Sequence, residues 1–208
     1  MRMRTRRARI HAGTLLAAAL LFACSRGETE VRSAWRGTLL SEPVEKPDFT
    51  LADTDGKPFR FREATAGQLT LLFFGYTNCP DICPLHMASL ATVRRGLPFA
   101  MKNRIRVVFV TTDPARDTPQ VMRVWLDQFD PDFVGLRGDS AYVARLQNSL
   151  GMASAILGPR GADGRYSVGH AAQVLAFTPD GRAHLQYPFG TRQEDWAHDL
   201  PKLLEATW

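Results

Sequence analysis

The chain has 208 residues, 45% of them hydrophobic and 23% charged, proportions that exclude an intrinsically disordered or collagen-like chain. The formal charge of +5 comes from the first 23 residues, where Arg2, Arg4, Arg6, Arg7 and Arg9 meet no acidic partner; beyond them 21 basic residues balance 21 acidic ones. A protein that neutralises phosphates needs a basic surplus on one face, so nucleic acid is not expected as a partner.

The N-terminus reads as an export signal. A basic stretch, Met1 to Arg9, precedes an apolar run from Ile10 to Phe22. At about 1.5 Å per residue that run is too short to cross roughly 30 Å of hydrocarbon, but it suits the core of a signal peptide. Leu21-Phe22-Ala23-Cys24 resembles the bacterial lipoprotein cleavage box, so residues 1–23 are expected to be removed and Cys24 to be acylated. Plain cleavage after Ala23, or an uncleaved anchor, also places the remainder outside the cytoplasm, on the periplasmic side of the membrane. Residues 24–45 are polar and read as a tether, with the compact domain spanning 46–208.

Within that domain the pattern alternates. Phe49 to Ala52 and Pro58 to Phe61 flank Asp53-Thr54-Asp55-Gly56, whose Asp-Gly pair marks a hairpin turn. Leu69 to Gly75 is continuously apolar, as in a strand buried on both faces. A helix is expected from Pro84 to Arg95, a second buried strand from Ile105 to Thr111, and a helix from Pro119 to about Phe129 with Thr118 as its cap. A short strand at Phe133 to Leu136 and a helix from Ser140 to Leu150 follow. Ala172 to Thr178 and Arg182 to Tyr187 form a hairpin, and a last helix runs from about Thr191 to Glu205. This order predicts an α/β fold: a thioredoxin-like three-layer α/β/α domain with an extra N-terminal β-hairpin.

Two cysteines fall in the domain, Cys79 and Cys83, in the turn between the first buried strand and the helix at Pro84. Proline cannot donate to the carbonyl at Pro80, so Cys79 is placed on the loop and Cys83 near the helix start, where amide dipoles favour thiolate. Three readings compete. A structural disulfide would close so short a loop that it would constrain the unfolded chain little. A redox dithiol would have three intervening residues where the usual thioredoxin-type motif has two. A soft-metal site would suit two neighbouring thiolates. Spacing alone does not choose between the last two.

The run Phe74-Gly75-Tyr76-Thr77-Asn78-Cys79-Pro80-Asp81-Ile82-Cys83-Pro84 resembles the signature of the SCO/SenC family of copper-binding, thioredoxin-like proteins. Thr111-Thr112-Asp113-Pro114-Ala115-Arg116-Asp117-Thr118-Pro119 and Tyr166-Ser167-Val168-Gly169-His170-Ala171 are similar to two further segments of that family, in order and spacing. The resemblance implies Cys79, Cys83 and His170 as ligands of copper, as Cu(I) or Cu(II). It also implies a metallochaperone that helps assemble the copper centre of cytochrome c oxidase, with subunit II as the partner. Two thiolates and an imidazole match the softness of Cu(I), whereas Zn(II) would want a fourth ligand. The alternative is a thiol-disulfide oxidoreductase in which Cys79 and Cys83 keep a target's cysteines reduced; no proline lies between Arg160 and Thr178 to face the dithiol, as such enzymes normally have. Met87 and His86 are rival ligands, the first expected to pack under the helix and the second to be exposed or helix-stabilising. His184 and His198 are expected at the surface, and Asp81 as an exposed turn carboxylate. Asp113, Arg116 and Asp117 are expected to fix a loop, and Trp125, Phe129 and Trp196 to pack in the core.

Overall fold

The computed structural model describes residues 34–208; the expected signal peptide, Cys24 and the first part of the tether lie outside them. Ten strands are described, β1 (Thr38–Glu45), β2 (Thr50–Asp53), β3 (Pro58–Arg60), β4 (Leu69–Gly75), β5 (Ile105–Thr111), β6 (Val134–Arg137), β7 (Ile156–Leu157), β8 (Val168–Gly169), β9 (Val174–Phe177) and β10 (Arg182–Tyr187). Six helices accompany them: α1 (Phe61–Ala64), α2 (Ile82–Gly96), α3 (Phe99–Lys102), α4 (Pro119–Asp127), α5 (Ser140–Ser149) and α6 (Gln193–Leu203).

Eight strands form one sheet in the order β1-β10-β9-β4-β5-β6-β2-β3. β4 and β5 occupy its centre in parallel, from Leu69 opposite Ile105 to Gly75 opposite Thr111. Every residue of β4 is buried, as its unbroken apolar run predicts for a strand covered on both sides. Alternation along the strands divides the core in two. Leu72, Phe74, Val108, Val110, Leu175 and Phe177 pack with Val143 and Leu146 of α5 and with Phe49 and Phe61. On the opposite face Phe73 packs against Phe109, and Phe109 against Trp125 of α4, with ring centroids 6.1 and 5.1 Å apart. Helices α2 and α6 pack together on that face. The result is the thioredoxin-like three-layer fold that the sequence predicts. The β2–β3 hairpin is attached to β6 at the far edge, and Gly56 takes the left-handed conformation its turn requires (φ +78°).

The tether is corrected over its second half. Thr38–Glu45 is an edge strand paired antiparallel with β10, from Thr38 opposite Gln186 to Glu45 opposite Arg182. The register shifts between Leu39 and Val44, which accommodates Pro43 at the edge of the sheet. The compact unit accordingly begins at Arg36 rather than near Lys46. Asp199 of α6 fixes this start: its fully buried carboxylate accepts the backbone N–H groups of Arg36 and Gly37 at 2.9 and 2.8 Å and the Tyr187 hydroxyl at 2.9 Å.

Candidate metal centre

β4 ends at Gly75, and the chain turns through Tyr76 to Asp81 before entering α2. Cys79 closes this turn by donating its N–H to the carbonyl of Tyr76. The turn is held from the side by Asp117, fully buried, whose carboxylate accepts the Thr77 N–H, the Thr77 hydroxyl at 2.6 Å and the Thr111 hydroxyl at 2.6 Å. Burial of Asp117 raises its pKa above the ordinary carboxylate value, opposed by these hydrogen bonds.

Helix α2 begins two residues earlier than its proline suggests. Asp81 is the N-cap, Cys83 lies in the first turn, and Pro84 occupies the third helical position, where a missing N–H removes no intrahelical bond. Cys83 is wholly buried, whereas Cys79 is 8% exposed. The sulfur of Cys83 reaches its place because residue 75 is glycine. A Cβ there would fall 2.7 Å from Cys83 Sγ and 2.9 and 3.0 Å from the rings of Phe73 and Phe109.

His170 arrives from the link between β8 and β9. Its Nε2 lies 3.5 Å from Cys83 Sγ and 3.9 Å from Cys79 Sγ, although 87 and 91 residues separate them in sequence. Its Nδ1 is 2.9 Å from the carbonyl of Ala171. A carbonyl only accepts, so Nδ1 carries the proton and Nε2 presents its lone pair to the sulfurs. The rings of Phe73 and Tyr76 hold the imidazole edge-on, at centroid distances of 5.8 and 5.6 Å.

Neither cysteine is in a disulfide, and the two sulfurs and the imidazole nitrogen all lie within 4.8 Å of one another. Among the described residues this is the group of such donors that converges. The sulfurs share their protons unequally. A hydrogen bond from Cys83 holds the pKa of Cys79 down to about 3, with backbone N–H groups, that of Cys83 among them, helping and burial opposing. Burial drives Cys83 strongly upward. The arrangement is a thiolate beside a thiol, with a bare imidazole nitrogen above them. This set suits a soft or borderline metal ion far better than a hard one.

Around the donors the loops are clasped. Asp113 pairs with Arg116 and accepts the Tyr166 hydroxyl at 2.8 Å. Arg116 in turn lies over the Tyr166 ring, 3.7 Å from its centroid, and donates to the Tyr166 carbonyl. Tyr76 accepts the N–H of Val168 on its hydroxyl. The loop-fixing network expected of Asp113, Arg116 and Asp117 is thus present, and it reaches both the cysteine turn and the approach to His170. Tyr76 and Tyr166 carry no signal by themselves in the sequence; their role emerges from partners 92 and 53 residues away.

The rival ligands are placed elsewhere. Met87 is fully buried in the core. The expectation that His86 is exposed is corrected: it is 2% exposed and bonds Ala172. His184 is likewise buried, hydrogen-bonded to Asp180 and stacked on Trp208. His198 is half-buried beside Asp199 and Lys202. Asp81 is exposed and Trp196 buried as expected, while Trp125 and Phe129 are only half-buried.

Comparison with known proteins points to one family. The family model described as SCO1/SenC matches residues 38–205. A putative copper-binding protein of Stutzerimonas stutzeri is 33% identical over 161 residues, covering 76% of each chain. The mitochondrial SCO2 homolog of Bos taurus is 33% identical over 75% of this chain and 57% of its own length. Among solved structures, apo Sco1 of Thermus thermophilus superposes with a TM-score of 0.72 at 32% identity, over 82% of this chain and 97% of that one. Copper-bound ScoI of Bradyrhizobium japonicum gives 0.68 at 34% identity, over 77% and 99%. With the family match running from the first strand to the end of the last helix, the chain belongs to the SCO1/SenC family.

Proposed function

We propose that this protein is a copper metallochaperone that binds one copper ion through Cys79, Cys83 and His170 and passes it to a copper centre of cytochrome c oxidase, with subunit II as recipient. The observation that carries the reading is the convergence of two sulfurs and a bare Nε2 within 4.8 Å. Copper is the cargo, and three donors suit a cargo. Cu(I) is satisfied by three ligands, and an incoming thiolate or thioether has room to bind before an outgoing one leaves. The copper-bound structure of the Bradyrhizobium relative supports the choice of metal. The experiment is a transfer assay. The full-length chain, reduced and loaded with Cu(I), should bind one equivalent and yield it to the apo copper domain of a subunit II. Failure to bind one equivalent, or retention of the metal beside that acceptor, would refute the proposal.

The leader supports an extracytoplasmic, lipid-anchored location, for which palmitate labelling of wild type and Cys24→Ser is the test; label that persists in the variant would exclude acylation at that residue. No helix among the described residues is long and apolar enough to cross a membrane.

The depressed pKa of Cys79 favours a second reading, a thiol-disulfide oxidoreductase. Here the Cys79 thiolate would attack a target disulfide and release one target thiolate. Cys83, after losing its proton, would then displace the second, leaving the Cys79–Cys83 pair oxidised and the target reduced. Reduction of insulin that needs neither copper nor His170 would select this reading over the first.

A further inference from the structure

His170 sits on an irregular link, residues 170–173, between β8 and β9. Upstream, β8 pairs only with the two residues of β7, where Ile156 and Leu157 are 73% and 59% exposed, and the Tyr76 hydroxyl and Arg116 hold Val168 and Tyr166; none of these contacts reaches residues 170–173 from α2. The ring nevertheless has to stand within reach of two sulfurs anchored on a different layer. From the cysteine-bearing helix α2, one side chain reaches the link itself. His86, one helical turn beyond Cys83 on α2, brings its Nε2 to 3.0 Å from the carbonyl of Ala172. The carbonyl only accepts, so His86 Nε2 carries the proton and donates it. His86 is itself rigidly set, with its ring edge-on to Phe73 at 5.1 Å and to Trp196 at 6.3 Å. Phe73 also carries the ring of His170 on its surface. Burial lowers the pKa of His86, which keeps the ring neutral, with a single N–H to give.

We propose that His86 is a positioning residue for the metal site: by binding the Ala172 carbonyl to the cysteine-bearing helix, it holds the His170 imidazole against Cys79 and Cys83. Successive carbonyls then have separate tasks. That of Ala171 sets the tautomer and rotation of the His170 ring, and that of Ala172 sets the height of the link above α2. The inference rests on the reading of Cys79, Cys83 and His170 as copper ligands. Partners behind a ligand typically alter metal affinity by about 10–100-fold.

The test uses the full-length chain and Cu(I) affinity measured by competition with a coloured chelator. His86→Phe and His86→Met remove the donor while keeping an apolar side chain of comparable bulk; His86→Gln keeps an N–H that can reach Ala172. The first two should weaken Cu(I) binding by about 10–100-fold while melting as cooperatively as wild type, and the glutamine should recover most of the loss. In a His170→Ala background the same changes should cost nothing further, because non-additivity marks residues that act through one another. Wild-type affinity in His86→Phe or His86→Met, or an undiminished loss in the His170→Ala background, would overturn the role of His86. An unchanged affinity in His170→Ala alone would instead overturn the ligand assignment. Should both donor-deleting variants fail to fold, His86→Gln decides, since a folded glutamine variant without recovered affinity contradicts the proposal.

Discussion

Cys79→Ser and Cys83→Ser should each abolish tight Cu(I) binding, and His170→Ala should weaken it by about 100-fold or more, since loss of a ligand exceeds the roughly 10–100-fold effect of a partner behind one. The order follows from donor softness. A serine hydroxyl is hard and stays protonated, so either cysteine change leaves one thiolate and one imidazole. Removing His170 leaves two sulfurs, which still suit a monovalent soft ion. For Cu(II), which favours nitrogen more strongly, the loss in His170→Ala should be the greater. Chelator competition on the full-length chain checks the series. Wild-type Cu(I) affinity in His170→Ala would mean that the 3.5 and 3.9 Å approaches of its Nε2 to the sulfurs serve no metal.

The second large effect concerns the fold. Asp199→Ala should cost about 3 kcal/mol, from about 1–3 kcal/mol for the buried Tyr187 hydroxyl and less for the two part-buried N–H groups left without an acceptor. The carboxylate is wholly buried and accepts two backbone N–H groups and the Tyr187 hydroxyl. Without it the buried Tyr187 hydroxyl and the two part-buried N–H groups lose their acceptor. Tyr187 does not compensate by ionising, because burial, the larger cause of its raised pKa, persists once Asp199 is gone. In a domain of this size the loss corresponds to a fall in Tm of roughly 10 °C. Asp199→Asn should fall between the two, because one amide group must face a donor. Differential scanning calorimetry reads the difference, and a shift below about 2 °C in the alanine variant would show that the start of β1 is held by something other than Asp199. A fragment beginning at Lys46 should be destabilised for the same reason, having lost both β1 and the two N–H groups that Asp199 binds.

The central strands were legible because their chemistry is local. β4 and β5 occupy the bounds their runs predict, since a strand buried on both faces reads as a near-continuous apolar stretch, broken inside only by Thr70 and Arg106. β10 is equally clear from the turn at Pro179-Asp180-Gly181, whose glycine takes φ +83°. β1 was not legible. An edge strand has one partner, exposes most of its residues and here contains a proline, so in sequence it resembles a polar linker. At the site, the cysteine turn and the position of Cys83 near a helix start could be read from the strand before it and the proline after it. The meeting with His170 could not be read from the residues alone, because nothing local signals a contact across 87 residues; family resemblance supplied it. His86 and His184 depart from their expected exposure for a related reason. Each is buried by a remote partner, the Ala172 carbonyl in one case and Trp208 in the other, and a histidine's neighbours in sequence do not report such burial.

X-ray absorption at the copper edge, on the reduced full-length chain loaded with one equivalent of Cu(I), puts the coordination itself to the test. Two sulfur scatterers and one nitrogen are expected in the wild type, with the nitrogen shell lost in His170→Ala and both sulfurs retained. A shell without sulfur, or one that His170→Ala leaves unchanged, would contradict the assignment of Cys79, Cys83 and His170 as the copper site.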